Sequence, residues 1–363
     1  MKQARKPTGL PTLRDAAATA SSGGASDAAH LALAAGGSAV DAVVAGFFAA
    51  AGAQEGVLLG PTAAIVGNAG SGVRAFDGRS LQPGKGAPRP RGFVEGQSIP
   101  DAARVAVPRT VPMLFLLHAY GGRTSISTLA KYGAEAATAA GAKQRAKVIR
   151  RVGAAGVIGL RTDGVHEALL AAANSVAGGC LTEADLDEVM PADADGRVLL
   201  RADGDAVVTG CPFSGDEAGE DDTAWTVDTI VAADFWGGVA ALSYAHQPQA
   251  VPLPSVELAA PRLAVPIRRG VTRVSPGATL RSPSPVGVAR FGRDLSLAFG
   301  LAGGWQRGEP ALFGDLDVEA LSGLSTGAPV ESALGAMART NKASRCLAAV
   351  RAPRATRPVA VVP

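Results

Sequence analysis

Residues able to do chemistry are sparse in this sequence and scattered along it. Cys211 precedes Pro212 near a loop and is a free-thiol candidate, but no His or cation is positioned beside it to lower its pKa. His30, His118, His166 and His246 contain no i,i+4 pair, and Cys180, Cys211 and Cys346 have no CxxC spacing, so no metal is assigned. The run GNAGSG, Gly67 to Gly72, is out of register with G-x-G-x-x-G, and no acidic partner follows in a βαβ unit. Nucleotide binding is therefore not expected, and neither is any other cofactor. Adjacent glycines let two backbone N–H groups face a developing negative charge without Cβ interference, and a tight turn after a strand is the competing reading of any such pair.

The elements that must hold these residues belong to a large, weakly charged chain. Its 363 residues are 47% hydrophobic and 18% charged, with a net charge of +3. That length suits one large domain or two ordinary ones and supports a real core without disulfide or metal staples. The charge gives no nucleic-acid footprint, and low charge with high apolar content argues against disorder over most of the length. Three widely spaced cysteines form no disulfide framework, so a reduced, cytoplasmic protein is expected. The basic N-terminus lacks the apolar run of a secretory signal, because Pro7, Gly9, Pro11, Arg14 and Asp15 interrupt it. The most apolar stretch, Ala39 to Ala53, is too short to cross a bilayer, so no membrane partner is expected.

Along the chain, Ser26-Asp27 reads as a helix start, Gly36-Gly37 as its stop, and Ser38 as the cap of a second, small-residue helix over Ala39 to Ala51. Helical pattern recurs at Val111 to Tyr120, Ser125 to Val152 and Leu169 to Val176, and Thr182 caps another helix. Residues 214–223 are an acidic run, read as a solvated turn. Beyond them, Val227 to Leu242, Leu263 to Ile267, Gly287 to Ala289 and Leu295 to Leu301 read as short apolar strands. The expected organisation is a helix-rich part over 1–223, a strand-rich part over 224–338 and an exposed basic arm over 339–363, with PVAVV able to form an edge strand. All three belong to one compact α+β domain. No internal repeat is present.

Several stretches resemble, in order, segments of the γ-glutamyltransferase (γ-glutamyltranspeptidase) family. HLALAAGGSAVDAVVAGFFAA from His30 is similar to its opening small-residue helices with GG-x-A-x-D-A. QEGVLLG from Gln54 resembles the approach to its Gly-rich turn, and VAVPRTVPMLFLLHAYG from Val105 resembles its V-A-V-P-G…H-x-x-Y-G segment. GGCLTEADLDE from Gly178, DTIVAADFWGGVAAL from Asp228, RSPSPV from Arg281 and GLAGG from Gly300 continue the series across most of residues 15–305. The resemblance implies an N-terminal-nucleophile hydrolase fold, an αββα sandwich of two stacked antiparallel sheets between helix layers. It also implies autocleavage that frees a Thr whose α-amine serves as its base, and transfer of a γ-glutamyl-type acyl group from an amide. The helical insertion expected after Cys211-Pro212 is absent.

Carried over residue by residue, the resemblance becomes uneven. The family's reactive Thr lies seven residues before the Asp of a D-x-x-G turn. Here that turn is Asp234 to Gly237, and the matching position is Val227, which has no hydroxyl. Thr229 becomes the nucleophile if the strand is two residues shorter, and Thr226 and Thr223 lie nearby. The competing reading makes Thr226 and Thr229 ordinary β-branched strand residues. Gly303 and Gly304 match the oxyanion pair. The family's carboxylate-binding Arg is Gly84 here, with Lys85 next to it, while the first Ser of S-S-x-S-P is Arg281 and the second Ser282. Arg281, with Ser282 and Lys85, is thus the candidate carboxylate clamp of a rearranged pocket, against the alternative of a surface Arg. Two functions follow. One is a Thr-nucleophile amidohydrolase or acyltransferase acting on a small amide that carries a carboxylate, cleaved into pieces of roughly 225 and 135 residues. The other is an unprocessed, catalytically degenerate protein that works as a binding or assembly subunit, alone, as a homo-oligomer or with a partner subunit.

Overall fold

The computed structural model describes residues 15–68, 72–87, 92–202, 206–213, 224–292, 295–305, 316–352 and 355–363. The N-terminal segment before Asp15, the centre of GNAGSG, the acidic run 214–223 and Thr223 lie outside the described residues.

Strand β1 (Ala17–Ala20) leads into α1 (Gly23–Ala34) and α2 (Ala39–Ala53). The first helix begins earlier than Ser26-Asp27, and its N-cap Ser22 makes no side-chain cap. The second starts as expected: the Ser38 hydroxyl accepts from the Asp41 N–H while the Asp41 carboxylate accepts from the Ser38 N–H. Of its 15 residues 14 are buried, so it is a central helix rather than a surface one. Val43, Val44, Phe47 and Phe48 are fully buried, each contributing roughly 1.5–3 kcal/mol of transfer free energy.

A hairpin of β2 (Thr62–Asn68) and β3 (Gly72–Gly78) follows, then α3 (Thr110–Gly121), α4 (Ile126–Ala139) and α5 (Lys143–Ala155). The single helix expected over Ser125 to Val152 is two, because the chain turns at Gly141 with φ +79°. Helices α4 and α2 touch backbone to backbone: a Cβ at Gly52 would collide with the Gly133 carbonyl. Next come α6 (Val157–Thr162), α7 (Val165–Ala173), α8 (Glu183–Asp187, capped by Thr182), β4 (Ala192–Asp195), β5 (Arg197–Ala202) and β6 (Ala206–Gly210). The later part holds β7 (Trp225–Ala233), β8 (Val239–His246), β9 (Val251–Leu253), β10 (Leu258–Ala260), β11 (Val286–Phe291), β12 (Leu295–Trp305), α9 (Val330–Thr340), β13 (Arg345–Ala352) and β14 (Ala355–Val361). Leu263 to Ile267 forms no ladder strand; isolated bridges at Arg262 and Arg268 flank it.

Two large antiparallel sheets result among the described residues, and β9 with β10 forms a separate two-stranded pair. One runs β4-β3-β2-β8-β7 and the other β5-β6-β11-β12-β13-β14. They share β12, whose Ser296–Ala302 pairs with β13 and whose last three residues, Gly303–Trp305, pair with β7. Helices α1, α2 and α3 lie against the first sheet, with α4 and α5 packed on α2, and α9 with the 3-10 turn Glu319–Thr326 covers the second. Between the sheets lies a layer of small and branched residues, including Ile65, Val231, Ala241, Val286, Val288, Ala298 and Ala349. The architecture is an αββα sandwich. The C-terminal segment is not an arm. β13 lies inside the second sheet, with Cys346 to Val350 buried, and only β14 is an edge strand. The continuous apolar run Cys346 to Val350, the pattern of a strand buried on both faces, was the signal for this placement.

Candidate functional site

Strand β7 alternates between the two layers, and this decides where each candidate hydroxyl goes. Val227, Thr229, Val231 and Ala233 share one face, while Thr226, Asp228, Ile230 and Ala232 share the other. Ile230 and Ala232 join the core beneath the helices, and Val231 and Ala233 join the layer between the sheets. Val227 is fully buried and stands opposite Gly303 on β12 and Ala245 on β8. It belongs to an apolar cluster that includes Ala106, Trp225, Ala245, Leu263 and Leu280. At this position, therefore, no group can attack a carbonyl and little room is left for water.

Thr229 is also fully buried. The other edge of β7 is shared, with β1 alongside Ile230–Ala233 and the tip of β12 alongside Trp225–Val227. Thr229 sits at the seam between them. Its hydroxyl donates to the Leu301 carbonyl at 2.7 Å, its N–H donates to the Ser21 hydroxyl at 2.9 Å, and its carbonyl accepts from the Ser21 N–H at 3.0 Å. Gly300 makes this possible, because a Cβ there would collide with the Thr229 methyl. In this uncut chain Thr229 lies inside a continuous strand with its hydroxyl and its N–H both hydrogen-bonded. Thr226 lies on the opposite face, half-buried, paired with Gly304 and His246. The His246 Nε2 is 3.5 Å from Asp228.

Gly303 and Gly304 are extended residues of β12 rather than a turn, and Gly304 is exposed. The residues of the expected carboxylate clamp have the following partners. Lys85 Nζ pairs with Glu188 at 3.2 Å, and its N–H, with that of Gly84, donates to the buried Asp185 carboxylate. Lys85 therefore serves the junction with α8. The Ser282 hydroxyl is buried and makes no hydrogen bond among the described residues, and Arg281 beside it is partly buried. A different arginine approaches position 84: a Cβ at Gly84 would lie 2.6 Å from Arg273 Nη2. No sequence signal links these two positions; the strand-like pairing of residues 80–82 with 277–280 brings them together.

Nearby, Asp77 holds Arg79 and Arg109 in a buried ion-pair group. Burial alone would push the Asp77 carboxyl up, but the hydrogen bonds from Arg79 and the charge of Arg109 outweigh it and hold the carboxyl below its ordinary value. The Cys211 thiol is pushed up to about 12 by burial, which leaves it protonated at neutral pH and removes it as a nucleophile. Among the described residues no cluster of His, Cys, Asp or Glu could hold a metal, and no helix is long and apolar enough to span a membrane.

No protein-family description and no curated protein sequence matches this chain. Solved structures do. Two structures of LmbA2991 superpose at TM-scores of 0.68 and 0.66, each at 15% identity with 96% of either chain covered. Cephalosporin acylase from Bacillus halodurans superposes at 0.63, with 13% identity, over all of this chain and 98% of its own. The chain has the N-terminal-nucleophile hydrolase fold. The likeness read from the sequence is thus a likeness of architecture at low identity.

Within that fold, two groups that sequence reasoning matched without assigning a role are the best-formed polar features. Asp41 is fully buried and accepts from the N–H groups of Ser38, Arg123 and Thr124. Asp234 accepts from Ala39 N–H at the start of α2 with one oxygen and from Trp236 and Gly238 N–H with the other. Both carboxylates satisfy backbone donors, including those orphaned at a helix N-terminus.

Proposed function

We propose that this chain is an unprocessed, catalytically silent protein of the N-terminal-nucleophile hydrolase fold that acts by binding, as a subunit or receptor rather than as a turnover enzyme. The observation that carries this reading is Val227. An aliphatic side chain, fully buried in one apolar cluster with Ala245 and Leu280, stands across from Gly303 at the position that the family resemblance matches to the reactive Thr. Removing a nucleophile removes both self-cleavage and acyl transfer, since one attacking group serves both. Arg281 and Ser282 remain as the residues that would receive the carboxylate of a bound small molecule.

A second reading is favoured by one register. Thr226 stands opposite the exposed Gly304 and beside His246. Cleavage before Thr226 would make it the new N-terminus of a γ-glutamyl-type amidohydrolase or acyltransferase, with a small amide as substrate. Intact-mass measurement of the purified chain, with N-terminal sequencing, separates the two. A full-length mass and no release of p-nitroaniline from γ-glutamyl-p-nitroanilide are expected. A new N-terminus at Thr226 or Thr229 overturns the silent reading. Ligand affinity that is unchanged in Arg281→Ala removes that residue from the binding role.

A further inference from the structure

The two sheets part at the end of the sandwich remote from Val227, leaving a cavity of about 460 Å³. One wall comes from the second sheet. There Arg290, Ser296 and Arg351 stand in a row across β11, β12 and β13, because Arg290 pairs with Ser296 and Ser296 with Arg351. Alternation puts this row on the same face as Val288, Ala298 and Ala349, which looks inward between the sheets. The facing wall is built from Gly67, Val73 and Val239 of the first sheet.

Glycines provide the space. Gly237 takes φ +93°, and a Cβ there would collide with Arg351 Nη1, so this guanidinium reaches across from the second sheet to the turn before β8. At Gly67 a Cβ would press on Val239 and Val288 at 3.2 and 3.4 Å. The described lining holds two arginines, Thr209 and Ser296 among valines and a leucine, with no Asp or Glu. Arg290 donates Nε–H to the Gly292 carbonyl, and neither arginine pairs with a carboxylate among the described residues. The two arginines stand two strands apart, about 10 Å at the backbone, on either side of Ser296, with Arg290 exposed at the mouth and Arg351 half-buried, and their like charges repel each other. An anion placed between them relieves that repulsion and accepts bidentate hydrogen bonds, while the valine-lined interior takes an apolar body.

We propose that this cleft between the sheets, floored by Arg290, Ser296 and Arg351, is a binding site for a monocarboxylate with an apolar tail. It is separate from the Val227 end and does not depend on whether the chain is processed.

Calorimetric titration of the full chain with 4-phenylbutyrate, 4-phenylbutanol and sodium sulfate at constant ionic strength tests it. The carboxylate is expected to bind at least about tenfold more tightly than the alcohol, because only it answers the two guanidiniums. Sulfate is expected to compete only weakly, because it buries nothing apolar. Arg290→Ala with Arg351→Ala is expected to lower phenylbutyrate affinity at least about tenfold and bring it level with the alcohol. Ser296→Asp, which supplies an internal carboxylate between the arginines, is expected to abolish binding while the melting temperature holds or rises, which excludes misfolding as the cause. Equal affinity for acid and alcohol, unchanged affinity in the double variant, displacement by sulfate at the same concentration, or no binding at millimolar ligand would each overturn the assignment.

Discussion

Two buried regions of this chain hold their side chains in different ways. At the junction of α2, β7 and the loop after α3, the buried Asp41 and Asp234 keep a full set of backbone partners. At the head of β7 stands Val227, paired with Ala245 and in one buried apolar cluster with Leu280. The first region holds the helix layer onto the sheet, so losing a carboxylate there costs the fold. The Val227 side chain satisfies no polar group. A buried carboxylate that satisfies N–H groups contributes to stability through those bonds, whereas a buried aliphatic group contributes through packing alone.

The sharpest way to break this contrast is Asp41→Ala. It leaves the Ser38, Arg123 and Thr124 N–H groups unsatisfied in the interior and is expected to cost about 3–5 kcal/mol by urea unfolding. A loss below about 1 kcal/mol would mean that the junction does not depend on its carboxylate. Val227→Thr should have a smaller effect. The new hydroxyl enters an apolar cluster without a partner, with an expected cost of about 1–3 kcal/mol. The chain is expected to remain intact by mass, because the neighbouring Ala245 and Leu280 are unchanged; self-cleavage in this variant would show that the rest of the catalytic apparatus persists. Thr229→Val removes the bond to the Leu301 carbonyl and orphans that acceptor, for about 1–2 kcal/mol, with no effect on ligand affinity.

The smallest expected effect concerns pH. Asp77 gives up its proton more readily folded than unfolded, so its stabilising contribution is complete at neutral pH, above the ordinary value of 3.8. That contribution is lost as the pH falls through the lower, folded value. Urea midpoints measured from pH 7 down to pH 2 should therefore fall, and fall less steeply in Arg79→Met. An equal slope in both would show that Asp77 does not respond to its arginines.

The parts legible in the sequence were those fixed by local chemistry. Ser38 and Thr182 announced their helices through capping boxes, and the branched run DTIVAADF announced β7. The break at Gly141 was missed because the flanking apolar spacing continues through it. The inclusion of β13 was missed because basic residues at its ends outweighed five buried positions in its middle. Of the candidate site, the buried apolar setting of Val227 was legible from the branched run around it. The seam that claims Thr229 was not, since its partners Ser21 and Leu301 lie far away in the chain. Nor was the approach of Arg273 to Gly84, which depends on a long-range pairing of two irregular segments.

Strand β12 begins at the proposed carboxylate cleft, with Leu295 and Ser296, and ends at Gly303 and Gly304 beside Val227. Its 11 residues span about 35 Å. A single stiff rod therefore joins the two ends of the sandwich and is stitched to a different layer at each. Spreading the layers at one end levers on the other, so occupancy of the cleft would register as a change in amide exchange at the paired glycines.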